Sequence, residues 1–407
     1  MSFEFPRADK PEDLGLSSPR LARFRDALQA DIDKGLLPGA VTLVIRRGQI
    51  ATLDALGYRD REAGAPMKSD TIFRIASMTK PFTSAAAMML AEEGKLLIAD
   101  PVSRYIPEFA DLEVAVDSDD RSASKPKTEP ARREMSVHDL MRHTSGLTYA
   151  HLTGPLLKSR YERANVVDEK QTNAEMVGKL GTLPLAYQPG TTWQYGVSTD
   201  VLGRVVEVAS GMELDRFIAE RICGPLDLSN TGFGPIDEAR AAHPQIDRAS
   251  GKRPPMRNAS VRPRWVSGGS GLLSTAGDYA RFAQMLLNGG ELDGTRLLSP
   301  TTIRLMTSDH LTPDIRRSPS TAVLFGALAP MEELGIGFGL GFAVRSHAGR
   351  SPLPGSVGDF SWSGVTGTYF WIDPQQQLIA ILMTQAPAER LHYRYFMRTL
   401  VYQAIVS

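Results

Sequence analysis

The sequence predicts a chain of the α/β class, α+β in type: an antiparallel sheet flanked by helices and interrupted by a mainly helical domain. Three observations carry this expectation. The chain has 407 residues, more than one hydrophobic core usually spans, so two domains are expected. Runs rich in β-branched and aromatic residues lie towards both ends, at 39–58 and 335–384, while helix formers dominate between them. Hydrophobic residues make up 42% and charged residues 23%, the balance of an ordinary globular protein. The expected boundaries are 1–75 with 260–407 for the sheet-bearing domain and 76–259 for the helical one.

The elements follow in order. A first helix is expected from Ser18 or Pro19 to Lys34. Residues 39–45 (GAVTLVI) and 50–58 read as a hairpin that turns at Arg47-Gly48. A β-like run at 71–75 precedes 81–95 (PFTSAAAMMLAEEGK), whose Ala, Met, Leu and Glu favour a helix stopping at Gly94 and Lys95. Residues 113–134 are mixed in charge and poor in apolar side chains, so a solvated loop or loose hairpin is expected. Helices should dominate 136–225, the first starting at Ser136 and stopping at a left-handed Gly146. A helix in 278–290 leads back to the sheet, 335–345, 367–372 and 378–384 supply its late strands, and 388–406 forms a closing helix. The stretch 312–334 is long for a loop in a compact domain. It is either a surface loop or a binding wall in which Leu324, Phe325, Leu328 and Met331 line an acyl pocket.

Chemistry concentrates at Ser77-Met78-Thr79-Lys80, a Ser-x-x-Lys at the expected start of a helix. Residues three apart share a helix face, so Lys80 stands within reach of the Ser77 hydroxyl. A serine needs a neighbouring base to become a nucleophile, and the amino end of a helix favours a neutral amine and offers N–H groups to an oxyanion. The pattern alone is common, and an ordinary polar first turn explains it equally well. Two further segments add weight. Tyr195 follows the turn Gln188-Pro189-Gly190 and could relay a proton to a leaving group. Trp362-Ser363-Gly364-Val365 interleaves small residues with β-formers, as in an edge strand along which a ligand lies closely. Taken singly, a packed tyrosine and a Gly-rich hairpin explain these two.

Together with 140–149 (LMRHTSGLTY), 188–211, 268–290 and 297–311, these stretches resemble the serine β-lactamase and penicillin-binding-protein superfamily. The branch they resemble is that of the class C-like carboxylesterases called family VIII. The resemblance implies a role for each matched residue. Ser77 is the acylated nucleophile, and Lys80 and Tyr195 share its proton network. The backbone N–H groups of Ser77 and Val365 form the oxyanion hole. Trp362, Ser363, Gly364 and Ser198 contact substrate. Two departures from class C β-lactamases stand out. Val197 replaces the Asn of Tyr-x-Asn, with Ser198 next to it as a stand-in. Trp362-Ser363-Gly364 replaces Lys-Thr-Gly, which removes the cation that would face a substrate carboxylate. Esterase action on small to medium neutral esters is therefore expected, with weak β-lactamase activity at most. The alternatives are a β-lactamase or D-amino-acid peptidase that uses Arg264 or Arg345 as its cation, and an acyltransferase to an alcohol or amine.

Other chemistries find little support. There is no Gly-x-Ser-x-Gly elbow, no His-Glu-x-x-His, and no Gly-Lys-Ser/Thr after Gly268-Gly269-Ser270-Gly271, which reads as a tight wall of the site. No metal and no cofactor are expected. Lys plus Arg (46) balances Asp plus Glu (46), so no nucleic-acid or membrane partner is expected, only a small-molecule ester. The single Cys223 allows no internal disulfide. The charged first residues hold no apolar leader, so a cytoplasmic location is expected.

Overall fold

A computed structural model describes residues 5–116, 127–247 and 250–407. Helix α1 (Ser18–Asp33) leads into β1 (Gly39–Arg46) and β2 (Gln49–Asp60), paired as the expected hairpin, and β3 (Ala65–Pro66) closes that edge. The other strands come from the end of the chain: β4 (Ile336–Phe338), β5 (Ala343–Arg345), β6 (Phe360–Ser363), β7 (Tyr369–Asp373) and β8 (Leu378–Thr384). One eight-stranded sheet results, ordered β4-β5-β6-β7-β8-β1-β2-β3, so the first and last long strands meet at its middle.

All eight residues of β1 are buried, and the period of two explains why. Val41, Leu43 and Ile45 enter the large core, which Phe282 and Met285 of α8 (Ala276–Leu287) join from one face of the sheet. Ala40 and Val44 enter a second core on the other face, shared with Phe24 and Leu28 of α1 and Met397 and Val401 of α11 (Arg390–Tyr402). Between β3 and β4 the chain is mainly helical. It contains α2 (Lys80–Glu92), α3 (Val137–Met141), α4 (Pro155–Ala164), α5 (Asn173–Leu180), α6 (Ser198–Ser210), α7 (Leu214–Ile218), α8, α9 (Pro300–Met306) and α10 (Ser320–Phe325). Helix α2 packs on α6, and the large core runs without a break from these helices to the sheet. Among the described residues, no helix is long and apolar enough to cross a membrane.

Three expectations need correction. The helix after Ser136 ends at Met141, not at Gly146, because His143 already turns left-handed at φ 59. Gly146 is left-handed as expected, at φ 85, and also permits a close approach, since a Cβ there would lie 2.1 Å from the Tyr187 carbonyl. The stretch 312–334 is not an irregular loop. Its Arg316–Arg317 pairs in parallel with Thr192–Trp193, and α10 follows. Strand β6 is interior, not an edge, although β5 pairs only with Phe360 and Ser361 and leaves Trp362 and Ser363 open on that side. Residues 113–134 do form a hairpin (Glu113–Val116 with Lys127–Pro130), and its 117–126 part lies outside the described residues.

Candidate active site

Ser77 sits in a tight turn, not in the α-helix proper. A 3-10 turn spans Ala76–Thr79, and α2 begins at Lys80. Ala76 adopts φ 46, a left-handed conformation that costs an L-residue about 1–3 kcal/mol and persists only where surroundings enforce it. Those surroundings are visible. Thr79 Oγ1 donates to the Ala76 carbonyl (2.7 Å) and accepts from the Leu272 amide (3.0 Å). The Tyr279 hydroxyl donates to the Met78 carbonyl. The Ser77 N–H, at the amino end of the turn, has no partner among the described residues.

Lys80 is fully buried. Its Nζ donates to Ser77 Oγ (3.3 Å) and to the Gly269 carbonyl (2.8 Å). The Gly269 N–H in turn donates to Asp200 Oδ1 (3.1 Å), which also accepts from Ser267 Oγ. A Cβ on Gly269 would lie 2.5 Å from Asp200 Oδ2, so only glycine lets this wall approach α6. Burial raises the Asp200 carboxyl above its usual range, while Lys80 and the bonds from Ser267 and Gly269 pull it part of the way back. A chain of contacts thus runs from Asp200 through Gly269 and Lys80 to Ser77.

Tyr195 presents its ring face to Lys80, with Nζ 4.7 Å from the centroid. Its segment lies flat on 143–148. Gln194 N–H donates to the His143 carbonyl, and a Cβ on Gly196 would lie 2.6 Å from Thr148 Cα. Around Tyr195 stand Phe325 (5.2 Å), Trp362 (5.6 Å), His143 (5.0 Å) and Trp193 (6.2 Å). Phe338 closes the cluster at 5.1 Å from Trp362. His143 is wholly buried with neither ring nitrogen bonded, and burial, then the Lys80 charge, push its pKa down so that it stays neutral. Beneath it, Asp139 accepts from Arg133 Nη1 (2.6 Å), the Ser136 amide and Thr144 Oγ1 (2.7 Å). Burial opposes ionisation of Asp139, but these bonds outweigh it and hold its carboxyl well below the usual range.

The turn after β6 is sewn to the chain just ahead of Ser77. Thr366 Oγ1 donates to the Arg74 carbonyl (2.9 Å) and Thr368 Oγ1 to the Ile75 carbonyl (3.2 Å). A Cβ on Gly364 would lie 2.4 Å from the Ile75 carbonyl. Val365 is 59% exposed, and its N–H has no partner among the described residues.

Ser77, Lys80, Tyr195 and the 362–365 turn therefore converge on one site. Ser198 does not face it: its buried Oγ bonds Ser145 Oγ at 2.9 Å, because it opens α6 on the helix face turned inward. Trp362, only 3% exposed, is chiefly a core member of the aromatic cluster. Neither expected cation is free. Buried Arg345 pairs with Asp359 (2.9 Å), and Arg264 with Glu175 (2.8 Å). Sequence reasoning missed Asp200, the Gly269 carbonyl, Phe338 and the two threonine ties. Asp200, an acid among the buried residues of α6 and five positions after Tyr195, was the one detectable signal. Beside the aromatic cluster, a cleft of about 920 Å³ is lined by Leu152, Leu157, Val323, Leu324 and Arg316 among others. Of the four apolar residues expected to wall a pocket in 312–334, Leu324 lines this cleft and Phe325 abuts Tyr195. Leu328 belongs to the second core, and Met331 packs on the large one. Among the described residues, no cluster of His, Cys, Asp and Glu is arranged to hold a metal ion.

A buried Ser–Lys pair at the foot of a helix, beside a tyrosine and an antiparallel sheet, fits the family VIII esterase-like serine hydrolases to which the chain is similar in sequence and structure. The chain belongs to the Beta-lactamase family, which matches residues 24–400. It is 40% identical over 374 residues to Protein Rv1367c of Mycobacterium tuberculosis (strain ATCC 25618 / H37Rv), covering 88% of this chain and 90% of that one. It is 31% identical over 408 residues to Esterase EstB of Burkholderia gladioli, covering 93% and 94%. The solved structure of EstCE1, a hydrolase with promiscuous acyltransferase activity, matches with a TM-score of 0.78 at 28% identity, covering 94% of this chain and 99% of that one.

Proposed function

We propose that this protein is a carboxylesterase acting on small to medium neutral esters through an acyl-Ser77 intermediate. In this reading 1–75 with 260–407 and 76–259 are two units that meet at Ser77. Ser77 Oγ attacks the ester carbonyl as its proton passes to the Lys80–Tyr195 pair. The carbonyl oxygen, now an oxyanion, rests on the N–H groups of Ser77 and Val365. The Tyr195 hydroxyl returns the proton to the departing alkoxide, which leaves as the alcohol. Water then attacks the acyl carbon, gives its proton to the same pair, and releases the acid with Ser77 reprotonated.

The observation that carries the ester preference is Trp362, whose indole fills the cation's place among Tyr195, Phe325 and Phe338. A charge-assisted hydrogen bond to a substrate carboxylate is worth ~1.5–3 kcal/mol, so its absence costs an anionic β-lactam roughly ten- to a hundredfold. A neutral ester loses nothing by that absence. The esterase relative EstB supports the same reading. Fast hydrolysis of p-nitrophenyl acetate or butyrate and weak nitrocefin turnover are expected from a parallel panel. If kcat/KM for penicillins exceeds that for every simple ester, the protein is a β-lactamase instead. The promiscuous acyltransferase activity of EstCE1 favours acyl transfer to an alcohol or amine as a second reading. An added alcohol that captures the acyl group in competition with water would establish it.

A further inference from the structure

Helix α11 carries two buried arginines four positions apart, and their surroundings differ. Arg398 donates to Asp359 and to the Tyr369 hydroxyl (3.0 Å), so its charge is neutralised. Arg394 is 2% exposed and has no carboxylate within ion-pair distance among the described residues. Its Nε is buried without a partner, and its Nη2 donates to the carbonyl of Gly364. A buried guanidinium without a counter-ion is costly to keep, and structural stability alone would favour an acid such as the one beside Arg398.

The carbonyl that Arg394 holds is one end of the peptide unit whose other end is the Val365 N–H. That unit is trans, so its N–H points away from its C=O. Fixing the carbonyl against α11 therefore fixes the N–H on the opposite side. Thr366 and Thr368 tie the flanking turn to Arg74 and Ile75, just before Ser77. A cation on the carbonyl also draws electron density through the amide, which makes the N–H a stronger donor.

We propose that Arg394 is a positioning residue of the oxyanion hole: it locks and polarises the Gly364–Val365 peptide so that the Val365 N–H meets the negative charge of the tetrahedral intermediate. The proposal rests on Val365 being the second oxyanion donor, as assigned above. Burial lowers the Arg394 pKa to about 10, the nearby Arg390 charge adding to the effect, which leaves the guanidinium charged at neutral pH. The charge develops on the substrate oxygen only along the reaction, so the effect falls on kcat, not on substrate binding.

The test compares wild type, Arg394→Lys and Arg394→Met on p-nitrophenyl butyrate, with active sites counted by fluorophosphonate labelling. Removing one oxyanion donor costs about 10²–10³ in kcat elsewhere, and a loss of roughly tenfold or more is expected for Arg394→Met, with KM little changed. Affinity for a boronic-acid analogue of the tetrahedral state should fall in parallel with kcat/KM. Arg394→Lys, which keeps the charge, should recover part of both. If Arg394→Met does not fold, Arg394→Lys decides by the same split of kcat against KM. Unchanged kcat per labelled site overturns the proposal. So does a loss confined to KM, or one confined to carboxylate-bearing esters, which would make Arg394 a substrate ion partner. Failure of the esterase reading looks different: wild type would not turn over the ester, or the label would map away from Ser77.

Discussion

On one side of the site, Lys80, Gly269, Asp200 and Ser267 are joined by directional hydrogen bonds, each within 3.1 Å of the next. On the other, Trp193, Tyr195, Phe325, Phe338 and Trp362 meet ring against ring at 5.0–6.2 Å. Both sides are buried, yet they hold their shapes by different means. The polar side depends on angles and charges, so a single lost atom breaks it. The aromatic side depends on volume, so it tolerates reshaping and governs which substrate fits. Chemistry should therefore be sensitive to the first side, and stability and substrate preference to the second.

The largest expected effect tests the polar side at its end. Ser77→Ala should lower kcat by ~10⁶, as loss of a nucleophile does elsewhere, while costing only ~1 kcal/mol in stability. Intact mass after fluorophosphonate treatment should show one adduct on Ser77. Labelling of Ser145 would break the assignment, and its full burial argues against that result. Next comes the anchor beneath the aromatic side. Asp139→Asn breaks the ion pairs of a buried carboxylate with half-exposed Arg133 and largely buried Arg142, and should lower stability at pH 7 by ~1.5–3 kcal/mol. The folded pKa of Asp139 lies below its unfolded value of ~3.9, so its contribution is complete above that pH and fades as pH falls towards the folded pKa. The gap between wild type and variant in urea unfolding should accordingly narrow below about pH 4.

Phe325→Ala sharpens the comparison from the aromatic side. It should cost ~3–5 kcal/mol in stability if the cluster does not collapse into the gap. Of the catalytic parameters, KM should rise for butyrate esters more than kcat falls. A fall in kcat alone would give the aromatic side a chemical role. The smallest effect probes the far end of the polar chain: Asp200→Asn weakens one hydrogen bond worth ~1–1.5 kcal/mol, so kcat should drop about tenfold. An unchanged kcat would detach Asp200 from the site. The Trp362→Lys exchange, which the motif alone offers as a route to β-lactam turnover, looks different in the folded chain. It would bury an ammonium among the rings of Tyr195, Phe325 and Phe338.

How much was legible follows from the range of each interaction. The Ser77–Lys80 spacing, the 39–58 hairpin and the late strands are local patterns, and they appear where the sequence puts them. Asp200 touching Gly269, Arg394 touching Gly364 and Thr368 touching Ile75 join residues far apart in sequence, which no spacing rule reports. The misplaced helix stop at Gly146 has a different cause. Gly146 is left-handed as expected, but it also leaves room for the Tyr187 carbonyl and lies beyond the helix end that His143 sets. The motif position of Ser198 says nothing about which side of α6 it faces, and its hydroxyl meets Ser145 in the interior.

The middle of the sheet has a consequence for how the protein is made. Gly39 and Thr384 are bonded to one another across 345 positions of sequence. At ~5–20 residues per second, a ribosome needs roughly 17–69 seconds between them. Throughout that interval β1 has β2 on one side and an unpaired row of amides on the other, with eight residues destined for burial still exposed. The nascent chain thus spends most of its synthesis as an open-edged apolar hairpin beside a growing helical bundle. Such a species is prone to aggregate, and its yield should depend on chaperones and growth temperature more than the stability of the finished fold suggests.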